Sequence, residues 1–502
     1  MTDQSLSRFL ELCRGISEAR VVPVWRESLL DTDTPVSAYA KLRRGPFGFL
    51  LESAPAGGET WARYTFLGTE PVAAWKLDHD GVHDWSSSRG WHTRRQPDDP
   101  LADLDSLIAQ RAVVDVRELG NFWSGAVGFF GYDVVRLIEH LPNRPERSSH
   151  IPDALFVFTR SMVIIDNLRS RARVVIGVDV DPGMDDDALR ELYDCAGGEI
   201  SEIESRLREH CPLPVVSLDS GSAPASGRSS IDRDSFIEKV EKIREYIRAG
   251  DCFQALLARR IELDADFDAT TLYRALRGLN PSPYMYHLVL DGLEIVGSSP
   301  ELLVRLENDR VTLRPIAGTR PRSLMRDRDE ELSAELLADP KERAEHIMLV
   351  DLGRNDVGRV ASFGTVEVTE LMKIEKYSHV LHIVSQVEGT LDRERTAMDV
   401  FRATFPAGTM TGAPKVRAMQ IIDELEPVSR GAYAGAVGYI AGGGSRMDLA
   451  ITIRTCVIAD GVASVQAGAG IVADSVGVTE WEETESKARA LLSAIAQARA
   501  AD

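Results

Sequence analysis

The chain is poor in cysteine, with five in 502 residues. Cys13, Cys195, Cys211, Cys252 and Cys456 are scattered, odd in number and form no CxxC. That spacing excludes a disulfide framework and a thiolate zinc site, and it fits free thiols in a reducing cytoplasm. Positive charge is also scarce: 58 Lys and Arg stand against 78 Asp and Glu, a net charge of -20. Such a surface argues against nucleic acid and anionic membranes as partners. It leaves room for a small anion held in a local basic pocket. No apolar run approaches the roughly 18 residues that span a bilayer. The start, MTDQSLSRFLELCRG, has no basic segment followed by an apolar run, so no signal peptide is expected. A GxxxxGK[ST] phosphate loop is missing as well. The Gly/Thr-rich stretch from Phe405 to Lys415 precedes a helix but lacks that spacing.

What is present is an ordinary globular composition, 44% apolar, in a chain too long for one small core. Two domains or one large composite fold are expected. Residues 1–210 read as mixed α and β, with strands at 47–51 and 173–178 and a helix over 189–208. Residues 211–230, CPLPVVSLDSGSAPASGRSS, are rich in Pro, Gly and Ser and read as a linker. Residues 231–502 form the second region. Phe236, Val240, Ile243 and Ile247 mark a helix that stops near Gly250. A strand follows over 252–260 with Gln254 inside it. Strands are also expected at 311–314, 380–387, 433–440 and 449–458.

Several polar residues interrupt these patterns. His382 lies in the 380–387 strand, where a histidine is either a hydrogen-bonded core residue or an acid–base group near neutral pH. Arg454 falls inside the 449–458 strand, and a buried arginine needs an anionic partner. Gly318-Thr319-Arg320 ends a strand and fits either a turn or a carboxylate cradle. Asp339 is expected to cap a helix with Pro340 in its first turn and Glu342 as the capping-box partner, which leaves Glu345 free. Near the C-terminus, Gly468-Ala469-Gly470 breaks an apolar strand. Thr479 then reads as a helix N-cap with Glu482. Glu480, Glu483 and Lys487 share one face of that helix. Two carboxylates there suit a hard cation, and a lysine one turn on suits an anion.

Taken together and in order, these stretches resemble the chorismate-utilising enzymes, the family that includes anthranilate synthase component I. The matching segments are SSPELL (298–303), PIAGTRPR (315–322), DPKERAEHIMLVDLGRND (339–356), HIVSQVEG (382–389), FPAGTMTGAPK (405–415), RGAYAGAVGY (430–439) and QAGAGIVADS (466–475). The first half matches less specifically, through FLLES (49–53) and WARYTFLG (61–68). The resemblance implies an α/β (α+β) sandwich of large antiparallel sheets with outer helices, and a site between the sheets. It implies Glu345 and Glu483 as Mg²⁺ ligands. Gly318, Thr319, Tyr433, Arg454, Gly468, Ala469, Gly470 and Lys487 would hold chorismate. Glu301 would be the acid for the departing 4-hydroxyl, and His382 the group that assists aromatisation with loss of pyruvate.

The resemblance also separates siblings. Water-adding members carry a lysine base where this chain has Gln254, and aminodeoxychorismate synthases carry a lysine where it has Ala317. A neutral amide activates no water and an alanine forms no covalent adduct. Both positions favour ammonia as nucleophile and anthranilate as product. The alternatives are a 2-amino-4-deoxyisochorismate synthase without the lyase step and an aminodeoxychorismate synthase. Ala258, where the family commonly has Ser, is the one departure noted, and it is expected to be tolerated. No cysteine sits in a nucleophile elbow, so ammonia from glutamine implies a separate amidotransferase subunit. Glu52 and Ser53, with Pro283-Tyr284-Met285 and Val437 to Tyr439, resemble a tryptophan feedback site.

Overall fold

The computed structural model describes all residues except 1–3, 54–62, 148–150, 219–222, 324, 377–379 and 502. Trp61 and Ala62 of the second N-terminal motif therefore lie outside the described residues, as does the middle of the 211–230 segment.

Two twelve-stranded sheets make up the frame. One runs Arg20–Leu29, Arg171–Val180, Ser161–Asp166, Tyr64–Thr69, Phe47–Glu52, Tyr284–Leu290, Leu293–Ser299, Thr455–Ala459, Val462–Ile471, Gln254–Asp264 and Arg228–Ser229, with Gly412–Ala413 added beside Gln254–Asp264. The other runs Ile316–Pro321, Val380–Thr390, Arg310–Leu313, Leu302–Glu307, Arg446–Ile451, Ala436–Ala441, Gly125–Phe130, Ala154–Phe158, Ala73–Asp78, Gly81–Ser86 and Gly90–Arg95, with Glu367–Lys376 beside Val380–Thr390. Neighbouring strands pair antiparallel. The expected sandwich of antiparallel sheets is the observed architecture. Each sheet takes strands from both sides of the 211–230 segment: Phe47–Glu52 pairs with Tyr284–Leu290, and Gly125–Phe130 with Ala436–Ala441.

The core follows from the strand patterns. Strands such as 125–130 and 154–158 are buried on both faces, so they read as continuous apolar runs. Between the sheets lie Phe47, Phe49, Phe122, Trp123, Val127, Phe129, Tyr286, Leu288 and Ile295. Outside the first sheet pack the helices Leu6–Arg14, Pro35–Leu42, Asp186–Leu207, Ala269–Leu279 and Gly477–Ala501. Outside the second pack Pro100–Gln110, Pro340–Gly358 and Ala397–Thr404. Among the described residues no helix is long and apolar enough to cross a membrane.

Three expectations need correction. The 449–458 strand is two strands, Arg446–Ile451 in one sheet and Thr455–Ala459 in the other. Arg454 lies in the link between them with φ +51°, a left-handed turn that no strand interior tolerates. The 433–440 strand starts only at Ala436, because Ala434, at φ +60°, still belongs to a turn. The last helix starts at Gly477, two residues before Thr479, and its first turn already uses the Val476 carbonyl. Thr479 is thus inside the helix and does not cap it.

The chain crosses between sheets at two adjacent places. Leu293–Ser299 passes into Leu302–Glu307 through Pro300 and Glu301, and Arg446–Ile451 passes into Thr455–Ala459 through Thr452, Ile453 and Arg454. The two links are laced together. Ile451 N–H donates to the Glu301 carbonyl at 3.0 Å, Ser298 N–H to the Arg454 carbonyl at 3.1 Å, and Ser299 Oγ to the Ile451 carbonyl at 2.6 Å. Ser299 is fully buried. Ser299→Ala removes this last bond and leaves the Ile451 carbonyl with the Ile453 N–H at 2.9 Å, so it should lower stability by about 0.5–1.5 kcal/mol. A shift of the urea midpoint without a change in slope is the measurement that checks it.

Candidate functional site

The laced links open on a cavity of about 210 Å³ between the sheets. Its walls include Glu301, Thr319, His382, Thr409, Tyr433, Arg454, Gly468 and Lys487. Eight segments far apart in sequence bring these groups together.

Glu301 leaves the first crossover with its carboxylate facing this space. Thr409 Oγ1, on the 3₁₀ turn Gly408–Met410, donates to Glu301 Oε1 at 3.0 Å. Burial pushes the Glu301 carboxyl up to about 7, against smaller opposing effects of that hydrogen bond and of Lys487. It therefore carries a proton for much of the time at neutral pH, as a general acid must. His382, on Val380–Thr390, donates from Nδ1 to the Gly318 carbonyl at 2.9 Å, with Thr319 Oγ1 3.2 Å from the same nitrogen. A carbonyl only accepts, so the ring proton sits on Nδ1 and the lone pair on Nε2. Burial holds the His382 pKa below its ordinary value, and the ring is neutral near pH 7.

Gly318 adopts φ +68°, and a Cβ there would meet Glu342 Oε2 and a Leu336 methyl at 3.1 Å. Gly318 sits at a bulge within the Ile316–Pro321 strand, where the positive φ requires glycine, so Gly318-Thr319-Arg320 is strand interior and not the strand end expected. Arg454 reaches the cavity from the second crossover. Its guanidinium makes no hydrogen bond or ion pair with the described residues, and burial lowers its pKa from the ordinary guanidinium value. A desolvated cation of that kind awaits an anion. Lys487 Nζ bridges the Gly468 carbonyl at 2.9 Å and Glu483 Oε1 at 2.6 Å. Gly468 has no room for a side chain, since a Cβ would come within 2.9 Å of the Leu257 carbonyl.

Glu345 and Glu483 come from different helices, Pro340–Gly358 and Gly477–Ala501. Burial raises the Glu345 pKa, and Glu342 and Glu483 add to it by repulsion. Glu345 is half-buried, and Glu483 is exposed and already paired with Lys487; two carboxylates without thiolate or imidazole are the donor type that suits a hard divalent cation such as Mg²⁺. Gln254 Nε2 lies 3.4 Å from Glu345 Oε1, while its own Oε1 is buried without a hydrogen-bond partner. Asp339 caps the Pro340–Gly358 helix as expected. Glu342, however, does not complete a capping box. The Asp339 N–H is used by the Leu336 carbonyl, and Glu342 Oε1 pairs with Arg320 at 3.0 Å.

Gly318, Ala469, Gly470, Gln254, Glu345 and Glu483 are not among the cavity walls themselves. Ala469 packs its methyl with Ala255, Leu257 and Ala418 on the far side of the strand, so only its backbone is available to a ligand. At Gly470 a Cβ would run into Gln254 Nε2 at 2.5 Å. The sequence reading gave no role to Thr409, Gln466 or Ala467. Thr409 stood in the FPAGTMTGAPK segment, but nothing in its spacing signals that its hydroxyl meets a residue 108 positions earlier.

A second cavity, about 460 Å³, is bounded by Glu52, Ser53, Pro283, Tyr284, Met285, Val437 and Tyr439, with Arg63 and Phe66 from the first half and Arg305 and Asp448 from the second. It shares Pro300 and Ile316 with the smaller one. The Glu52 carboxylate is already held by Arg277 at 2.7 Å and 2.9 Å and by Tyr273 at 2.8 Å. Asp448 pairs with Arg305 at 2.8 Å through Oδ2, while its buried Oδ1 has no partner.

Comparison with known proteins identifies the family. The family of chorismate binding enzymes matches residues 54–493. The chain is 44% identical to anthranilate synthase component 1 of Aquifex aeolicus over 98% of both chains. It is 46% identical to that of Pseudomonas putida over 95% of this chain and 96% of the other. The crystal structure of anthranilate synthase component I from Streptococcus pneumoniae superposes with a TM-score of 0.75 at 35% identity, covering 93% of this chain and 99% of that one. The chain thus belongs to the chorismate binding enzymes, the family that its sequence motifs resemble.

Proposed function

We propose that the chain is the aminase and lyase component of an anthranilate synthase, converting chorismate and ammonia to anthranilate, pyruvate and water in tryptophan biosynthesis. The observation that carries this is a carboxyl group titrating near 7, Glu301, in one cavity with neutral His382 and with Arg454 and Lys487. Arg454 supplies charge for a substrate carboxylate, and Thr319 and Tyr433 supply hydroxyls. The likeness to component 1 enzymes along nearly the whole chain supports the same substrate.

Hydroxide is a poor leaving group, so Glu301 gives its proton to the 4-hydroxyl, which departs as water while ammonia bonds to C2 and the ring double bond shifts. Gln254 cannot activate water, but its unpartnered Oε1 can accept an N–H of ammonia. His382 Nε2 then takes the C2 proton. The C3–O bond breaks, the enolpyruvyl group leaves as the pyruvate enolate, which gains a proton at its methylene to become pyruvate, and the ring becomes aromatic. Mg²⁺, when bound to Glu345 and Glu483, supplies hard positive charge for a substrate carboxylate.

Ammonia comes from glutamine through a separate amidotransferase partner, since this sequence has no cysteine nucleophile elbow. Residues 1–210 contribute the regulatory wall of the larger cavity, and tryptophan is its ligand. A volume of about 460 Å³ falls within the roughly 300–1,000 Å³ usual for small-molecule sites. Met285, Tyr284 and Tyr439 offer an apolar slot for indole, and Ser53 and the free Asp448 Oδ1 offer polar groups for the amino acid end.

The basic test is anthranilate fluorescence from chorismate, Mg²⁺ and an ammonium salt. Absence of product under those conditions would sink the reading. Glu345→Gln or Glu483→Gln removes one charge at nearly constant shape, and each should lower turnover by orders of magnitude, with EDTA abolishing wild-type activity. Full turnover in EDTA would discard the metal. His382→Ala should cost roughly 10²–10⁴ in anthranilate formation while chorismate is still slowly consumed to the aminated intermediate. Normal pyruvate release from that variant would remove His382 from the elimination. Ser53→Phe, which fills the larger cavity, should retain near-normal activity and lose most tryptophan inhibition; unchanged sensitivity would argue against the assignment.

A further inference from the structure

We propose that Arg430, which lines no part of the 210 Å³ cavity, is a positioning residue for it: with Glu426 it locks four cavity walls together and, through Thr409, sets Glu301. The proposal rests on the reading of Glu301 as the acid. Arg430 is 2% exposed. Its Nε and Nη2 pair with Glu426 at 2.9 Å and 2.6 Å. Its remaining donors go to two carbonyls, Met410 at 2.7 Å and Leu256 at 3.3 Å. Glu426 Oε1 also accepts the Ala258 N–H at 2.9 Å. The Arg430 carbonyl accepts Gln466 Nε2 at 2.7 Å and the Tyr433 N–H at 3.2 Å, and the guanidinium lies 5.8 Å from the Tyr433 ring centre.

The ends of these contacts are what matter. Met410, Leu256, Tyr433 and Gln466 all line the cavity. They belong to the Gly408–Met410 turn, the Gln254–Asp264 strand, the segment before Ala436–Ala441 and the Val462–Ile471 strand. Met410 adjoins Thr409, whose hydroxyl holds Glu301. A planar guanidinium can serve a carboxylate and two carbonyls at fixed angles; an ammonium cannot. The pair itself is a buried ion pair and is weak evidence for stability. Its placement accounts better for a geometric task, since reacting groups misplaced by about 1 Å lose roughly a hundredfold in rate.

The pH consequence has a definite sign. Lys487, His382, Tyr433 and Arg454 face Glu301 across the cavity, and Arg314 and Asp356 line the smaller space on its other side. None of them is substituted in an Arg430 variant, and of these only Tyr433 touches Arg430. The hydrogen bond from Thr409 stabilises the ionised carboxylate, so loosening it lets the Glu301 pKa rise above about 7.

The test uses Arg430→Lys, which keeps charge for Glu426 but cannot span both carbonyls. The pair Glu426→Gln with Arg430→Met removes both charges together and is the form to use where the single variant fails to fold. Thr409→Val removes the hydroxyl directly. The protonated Glu301 carboxyl band is identified in the infrared by its loss in Glu301→Gln and followed with pH. In each folded variant its half-point should move to higher pH. The kcat for anthranilate should fall roughly 10- to 100-fold, with its alkaline limb moving in the same direction. A half-point that stays at the wild-type value in the Arg430 or Thr409 variants, or a rate loss matched by loss of folded protein alone, overturns the proposal. The infrared measurement needs no turnover. A wild type that made no anthranilate would sink the functional reading and still leave this inference to be decided by the band.

Discussion

Everything at the site depends on two strands changing sheets side by side. A sandwich of antiparallel sheets closes its core by packing faces about 10 Å apart, which leaves little space between them. Where the chain passes from one sheet to the other, the backbone must leave both ladders, and its polar groups need other partners. Here the two links serve each other: the carbonyls of Glu301 and Arg454 accept N–H groups from the strands beside them. The lacing fixes two backbones that would otherwise be loops. Their side chains, one acidic and one basic, are then held in a narrow gap from which water is largely excluded. The same constraint that satisfies the backbone also desolvates the groups that do chemistry.

Desolvation acts on each of these groups in the direction its task requires. It raises the carboxyl of Glu301 to about 7 and lowers the imidazole of His382, so near pH 7 the first keeps a proton about half the time and the second is neutral. It also leaves Arg454 charged but unmatched and Glu345 crowded by carboxylates. The protein therefore stores two unbalanced charges, one of each sign, that a substrate anion and a cation complete on binding. Such imbalance costs stability in the free protein. The cost is tolerable in a frame where both sheets, and helices on their outer faces, supply large apolar cores.

Much of this was legible in the sequence, for identifiable reasons. Apolar runs marked strands such as 47–51, 311–314 and 380–387, while others, among them Arg20–Leu29, Gly125–Phe130 and Glu367–Lys376, went unread. Asp339 before Pro340 marked a helix start, because a carboxylate cap and a fixed φ suit the first turn. Arg454 was misread as strand interior, since its neighbours on both sides are apolar and only its left-handed φ betrays the crossover. Glu342 was misread as a cap partner because spacing cannot reveal that the Asp339 N–H already belongs to the preceding helix. The turn at Gly408–Met410 and the Glu426–Arg430 pair had no local signature. Their meaning lies in contacts between segments that sequence separates by more than a hundred residues.

The two cavities share Pro300 and Ile316, so they are neighbouring rooms with a common partition. One face of Pro300 belongs to each, and the next residue is Glu301. A chain under selection cannot reshape that partition for one room alone. Residues bounding only the larger room, such as Ser53 and Met285, answer to one ligand, whereas Pro300 and Ile316 carry two obligations at once. Diversity among relatives should therefore be graded by distance from the partition, with the steepest constraint on the few residues that both rooms see.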